Sequence, residues 1–245
     1  MTRRVAVVCP ADSYVGPDLA RLLVARDHDV VLGDATPELA DELEAQGASV
    51  TVVEGVQDLA VEGTAERLVD AALGAHGRID AACCFTGAII IGRFLDSTPE
   101  QLAAIVRGNI EAPYRFLRAV APPMVEAASG QILVITSASA ARPTPGAALY
   151  SATRTGATHL VRNVADELAP HGVQVNAVGT NFMDFPGFIK ANRADDPERR
   201  TKLEAMVPMR RLGTMPEFAA FCSVFLDGTS RFQTGAFVPY AGGWA

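Results

Sequence analysis

At 245 residues, with 49% hydrophobic and 20% charged residues, the chain is long enough for one α/β domain with a sizeable core. Its formal net charge of −7, with no block of Lys or Arg, argues against nucleic acid and against anionic membrane surfaces as partners. The four cysteines, Cys9, Cys83, Cys84 and Cys222, have spacings that suit neither a zinc site nor a disulfide framework, so no metal is expected.

The first apolar run, 5–9, reads as a strand and is too short for a signal peptide. No uncharged apolar run reaches transmembrane length, and the expected location is the cytoplasm. Strands and helices then alternate. The pattern predicts helix over 18–26, strand over 30–32, helix over 37–45, strand over 50–53, helix over 65–75 and strand over 79–85. Thr98-Pro99-Glu100-Gln101 is an N-terminal capping signature that opens a long helix to residue 126. Strand follows at 132–136, helix at 150–168, strand at 173–178, helix at 218–226 behind the cap Thr214, and a last strand at 237–240. Strands this apolar are buried on both faces, which implies a parallel sheet with helices on each side. No internal repeat or low-complexity linker divides the chain, so a single domain over 1–245 is expected. Residues 179–210 break the alternation. Their Phe-rich part is expected to form a pocket wall or lid, and the charged run 193–200 a solvated helix face.

The chemistry concentrates between Ser137 and Arg154. Ser137 ends an apolar strand, and Tyr150 opens a helix thirteen positions later. Arg154 lies one turn further on the same helix face. A guanidinium beside a phenol favours the phenolate, and the nearby hydroxyl can hold a substrate oxygen. Tyr150 is thus a candidate base, Arg154 its activator and Ser137 an orienting donor.

The Ser137…Tyr150-x-x-x-Arg154 spacing resembles the short-chain dehydrogenase/reductase superfamily, with Arg where that family has Lys. The resemblance extends through Val175-Asn176-Ala177-Val178, Arg211-Leu212-Gly213-Thr214, Thr234-Gly235 and Gly242-Gly243. It implies a Rossmann-like, doubly wound parallel sheet. The departures cluster where a dinucleotide would lie. The Gly-rich turn after the first strand reads Cys9-Pro10-Ala11-Asp12-Ser13-Tyr14-Val15-Gly16, with only Gly16 left of three glycines. Asn-Asn-Ala-Gly becomes Cys84-Phe85-Thr86-Gly87, and Pro-Gly becomes Thr180-Asn181. Each change adds bulk or removes a donor, so the dinucleotide site is expected to be filled and no cofactor is expected.

With Ser-Tyr-Arg retained, the combination resembles the halohydrin dehalogenases. That resemblance implies a cofactor-independent lyase that converts vicinal halohydrins to epoxides and opens epoxides with halide, azide, cyanide or nitrite. It implies a halide and substrate pocket formed by Tyr14, Thr180, Asn181, Phe182, Met183 and Phe188, and a homotetramer paired through the long helices. Tyr14 is read either as pocket lining or as a packed turn residue. Ser139 is the rival hydroxyl and is taken as structural. Asn109 is read as a buried bond to backbone, and Asp34, where a ribose-binding acid would stand, as a surface residue. Two other functions remain open: an atypical NAD(P)-dependent short-chain oxidoreductase, and a non-catalytic binding or scaffold protein.

Overall fold

A computed structural model describes residues 3–85 and 87–245 of the chain. Thr86, one of the departures above, lies outside the described residues, as do Met1 and Thr2. The first half runs β1 Arg4–Cys9, α1 Gly16–Ala25, β2 His28–Gly33, α2 Pro37–Ala45, β3 Val50–Val53, α3 Thr64–His76 and β4 Ala81–Phe85. Next come α4 Pro99–Val106, α5 Ala112–Glu126, β5 Gly130–Ser137, α6 Ala148–Leu168 and β6 Val173–Thr180. The chain closes with β7 Met183–Asp184, α7 Pro186–Asn192, α8 Pro197–Met206, β8 Gly213–Thr214, α9 Met215–Ser223 and β9 Phe237–Tyr240.

Seven strands form one sheet in the order β3-β2-β1-β4-β5-β6-β9, and every pairing is parallel. The α/β, doubly wound architecture read from the sequence is the one observed. The winding direction reverses between β1 and β4, and the carboxyl ends of these strands frame a crevice, the usual ligand position in such sheets. The apolar runs explain the layering. Val5, Val7 and Cys9 of β1 face a core shared with Leu68 of α3, Phe116 of α5 and Val161 of α6. Ala6 and Val8 face the opposite core, shared with Leu19 of α1, Leu39 of α2 and Phe218 of α9. Phe116 and Phe218 are fully buried, and each such side chain contributes about 1.5–3 kcal/mol.

Most predicted elements appear within a few residues of their expected bounds. The helix expected over 98–126 does begin at a capping box, in which Thr98 and Gln101 bond each other's backbone N–H. It is interrupted by one π-helical turn, Arg107–Glu111. A Cβ at Gly108 would stand 2.8 Å from the Ala88 backbone nitrogen, so this turn packs directly on the loop after β4. The helix expected over 218–226 begins three residues earlier, because Thr214 and Glu217 close a second capping box with a proline in the first turn. The break over 179–210 holds two helices and the short strand β7, which pairs with β8 just beyond it. Asp196 caps α8 through the N–H groups of Glu198 and Arg199.

Candidate active site

The site is built from the carboxyl ends of β1, β4, β5 and β6 and the first turns of α6. Ser137 ends β5 and is buried. Its hydroxyl accepts from the Ser139 N–H at 3.1 Å and from the Ser139 hydroxyl at 2.9 Å, and donates to the Thr180 carbonyl at 3.5 Å. Ser139, taken as structural from the sequence, is therefore bonded directly to the expected substrate-orienting hydroxyl. The bond is local: the Ser137 side chain caps the short turn Ala138–Ala140 that follows β5.

Tyr150 lies in the first turn of α6, half-buried. Arg154 is 7% exposed, and its guanidinium carbon lies 5.2 Å from the Tyr150 ring centroid. The pair expected from the i,i+4 spacing is formed, with the cation against the ring. A Cβ at Gly87 would stand 2.2 Å from both Arg154 Nη2 and Asn109 Oδ1, so only glycine leaves room for this arrangement. Asn109 is carried by the π-turn and is fully buried. Its amide donates to the Ala88 carbonyl at 3.2 Å and to the Thr153 hydroxyl at 2.9 Å. Thr153 in turn donates to the Leu149 and Tyr150 carbonyls. Asn109 thus bonds backbone, as expected, and also braces the turn that carries Tyr150.

The six residues assigned to a halide and substrate pocket separate into two groups. Tyr14 and Thr180 form one: their hydroxyls are 2.6 Å apart. The Tyr14 ring meets Phe85 at 5.4 Å, Phe185 at 4.7 Å and Phe218 at 5.9 Å between centroids. Its backbone is left-handed, φ 53°. That conformation costs a non-glycine residue about 1–2 kcal/mol. Three ring contacts at about 0.5–1.5 kcal/mol each, with the area they bury, outweigh it. Burial pushes the Tyr14 phenol well above the ordinary tyrosine range, against the opposing effect of the Thr180 bond.

Asn181, Phe182 and Met183 form the second group. They line a cavity of about 260 Å³ together with Met209, Arg211 and Tyr240. The Asn181 amide oxygen already accepts the Phe182 N–H at 2.9 Å, so that donor is engaged within the loop. Phe188 is not part of that cavity's wall; it packs edge-on against Phe182 at 6.0 Å. Trp244 meets Phe182 from another side at 5.6 Å and holds the Arg142 guanidinium 4.8 Å from its own ring.

As arranged, the crevice does not fit a dinucleotide. At the β1–α1 turn a Cβ at Gly16 would stand 2.5 Å from the Pro10 carbonyl oxygen, so the close turn survives. The Gly16 N–H, however, is bonded to the Ser13 carbonyl at 3.0 Å. Pro17 offers no donor, and Asp18 places a negative charge in the first helical turn. The Asp34 carboxylate, just after β2, accepts the N–H groups of Gly55 and Val56, which ties it to the loop after β3. No group of three or more metal-ligating side chains occurs among the described residues.

A family model described as Enoyl-(Acyl carrier protein) reductase matches residues 11–245. The chain belongs to that family, within the short-chain dehydrogenase/reductase superfamily. Among curated relatives of this family, "Dehydrogenase/reductase SDR family member 4" of Sus scrofa is 28% identical over 252 residues, covering 100% of this chain and 88% of its own length. "Oxidoreductase UcpA" of Salmonella typhimurium is 27% identical over 244 residues, covering 96% of this chain and 92% of its own. Of the solved structures, levodione reductase superposes with a TM-score of 0.88 at 25% identity, over 99% of this chain and 98% of the other. A structure titled "Dehalogenation enzyme" superposes with a TM-score of 0.84 at 28% identity, over 100% and 99%.

These findings correct the expectation of a halohydrin dehalogenase, a cofactor-independent lyase producing epoxides. The matching family model is a reductase, and both curated relatives carry dehydrogenase, reductase or oxidoreductase names. The physical reason lies in the motif. A hydroxyl at a strand end and a tyrosine thirteen residues on serve proton transfer at any substrate oxygen, whether alcohol, carbonyl or halohydrin. Altered residues around the crevice do not by themselves select among those reactions.

Proposed function

We propose that this chain is an atypical NAD(P)-dependent short-chain oxidoreductase that acts on a small substrate bearing a hydroxyl or carbonyl group. One observation carries the reading: Tyr150 and Arg154 stand together on the first turns of α6, within a reductase-family match that spans residues 11–245. Names of relatives such as levodione reductase support the same class.

In this reading Tyr150 moves the proton at the substrate oxygen, on the hydroxyl as it is withdrawn or on the carbonyl oxygen as it is supplied. A side chain in that role contributes about 10²–10⁴-fold in rate. The Ser137 hydroxyl turns from its long bond to the Thr180 carbonyl and donates to the same substrate oxygen. Ser139 supports it, because a hydroxyl that accepts a hydrogen bond is a better donor. Arg154 keeps a fixed positive charge against the Tyr150 ring, and Gly87 makes room for it. The bonds from Asn109 to Thr153, and from Thr153 to the Tyr150 carbonyl, fix the start of α6.

The test is consumption of reduced nicotinamide, followed by absorbance, across a panel of small ketones, diketones and aldehydes, with the alcohols run in the oxidative direction. Turnover is expected with at least one substrate. Tyr150→Phe is expected to reduce it by about 10²–10⁴-fold while circular dichroism stays unchanged. Absence of turnover in both directions with NAD(H) and NADP(H) overturns the proposal.

A further inference from the structure

We infer that Tyr14 is a latch across the dinucleotide crevice: a nicotinamide dinucleotide enters this site only when the Tyr14 side chain leaves its cage. The inference rests on the oxidoreductase reading for its choice of ligand, and on this chain's own geometry for everything else.

Tyr14 stands in the turn between β1 and α1, the place where a doubly wound sheet offers backbone to a pyrophosphate. Its ring is not directed to solvent. It crosses the carboxyl edge of the sheet and lodges among Phe85 at the end of β4, Phe185 just beyond β7 and Phe218 of α9. Its hydroxyl is then tied to Thr180, the last residue of β6, at 2.6 Å. Tyr14 therefore spans the crevice from its phosphate end to the strand beside the Ser137 hydroxyl. A ligand lying along the same line would need the volume of that ring.

The rest of the turn favours the closed arrangement. The Gly16 N–H is already engaged, Pro17 has none, and Asp18 opposes a phosphate at the helix end. Asp12 and Asp34 add further negative charge beside the first strand, where both help to push the Cys9 thiol up to about 12, after the larger effect of burial. Opening the latch breaks a part-buried hydroxyl pair and three ring contacts, so the closed form is expected to dominate without ligand. The apparent affinity for a dinucleotide then falls by the fraction of molecules that are open.

Two variants isolate the latch. Tyr14→Gly removes the ring and suits the left-handed backbone at this position. Thr180→Val keeps the ring and removes only the hydroxyl that holds it. NADH and NADPH are titrated separately against wild type and both variants by fluorescence, with circular dichroism confirming that each variant is folded. Tyr14→Gly is expected to bind at least tenfold more tightly than wild type, and Thr180→Val at least threefold. Equal or weaker binding by both folded variants overturns the inference, as does wild-type binding that neither change improves. Should Tyr14→Gly fail to fold, Thr180→Val alone decides. The two proposals fail separately. Tighter binding with no turnover on the carbonyl panel sinks the oxidoreductase reading and leaves the latch. Turnover with affinity unchanged by either variant sinks the latch and leaves the reading.

Discussion

Ser137, Thr180 and Tyr14 form a continuous polar line, in which the Thr180 carbonyl accepts from Ser137 and the Thr180 hydroxyl meets Tyr14. Ser139→Ala takes away a neutral hydrogen bond to Ser137, worth about 0.5–1.5 kcal/mol, and is expected to slow turnover by roughly 3–10-fold without loss of fold. Steady-state kinetics on that variant, compared with Ser137→Ala, separates support from direct contact: Ser137→Ala should cost clearly more. The cysteines give a second test at this scale. Cys9, Cys83, Cys84 and Cys222 are all buried, and burial pushes the Cys9 thiol up to about 12. Thiolate is the reactive form, so an alkylating reagent near neutral pH should label none of the four in the native protein and all four in urea. Native labelling of Cys9 would contradict the packing of β1 against the loop at Val56, whose carbonyl accepts the Cys9 thiol at 3.5 Å.

At the scale of elements, helix starts carry much of the local order. Thr98–Gln101 and Thr214–Glu217 close capping boxes, and Thr36 and Asp196 cap α2 and α8 through their side chains. The start of α9 matters most for the site, because Phe218 on this helix is one wall of the Tyr14 cage. Glu217 is held down to about 2 by its bond to Arg211, with the Thr214 backbone and hydroxyl adding to it. A depressed carboxylate contributes its stability above the unfolded value near 4.5 and loses it as pH falls through about 2. Glu217→Gln should therefore flatten the dependence of melting temperature on pH below about 4.5, and leave it unchanged near neutrality. Full exposure of the group limits the size of the effect. Thr214→Ala, which removes the cap hydroxyl, is expected to cost about 1 kcal/mol in chemical denaturation. The π-turn at Arg107–Glu111 is the other element with a local cause: Gly108 rests on the loop after β4, and the turn carries Asn109 to Thr153.

At the scale of the molecule, the sheet brings together segments far apart in the chain. No described helix is long and apolar enough to cross a membrane. The four-subunit assembly is implied by the family resemblance; on the long helical segment, Leu102 at 46% and Tyr114 at 50% are exposed apolar side chains. We propose that these residues meet a second copy of the chain. Light scattering should return four times the chain mass, and Leu102→Glu with Tyr114→Glu should shift it to a smaller species with an unchanged dichroism spectrum. A monomeric wild type would refute the assembly.

Wherever the cause was local, it could be read along the chain. Apolar runs buried on both faces marked the parallel strands, because a strand with no wet face has no polar positions to alternate. Thr-Pro-Glu-Gln marked a helix start, because its partners lie three residues apart. The i,i+4 spacing of Tyr150 and Arg154 set the two on one face, because the helix repeat does so without help from the fold. Tertiary structure alone decided the remainder. Tyr14 and Thr180 are 166 positions apart, and only the order of β1, β4, β5 and β6 sets them hydroxyl to hydroxyl. Neither the Phe185 nor the Phe218 wall of that cage has a periodicity that betrays it. The same limit governed the reaction class. Ser137, Tyr150 and Arg154 supply proton chemistry on one short stretch, whereas what shares the crevice with them is set by side chains that meet only after the chain has wound around its sheet.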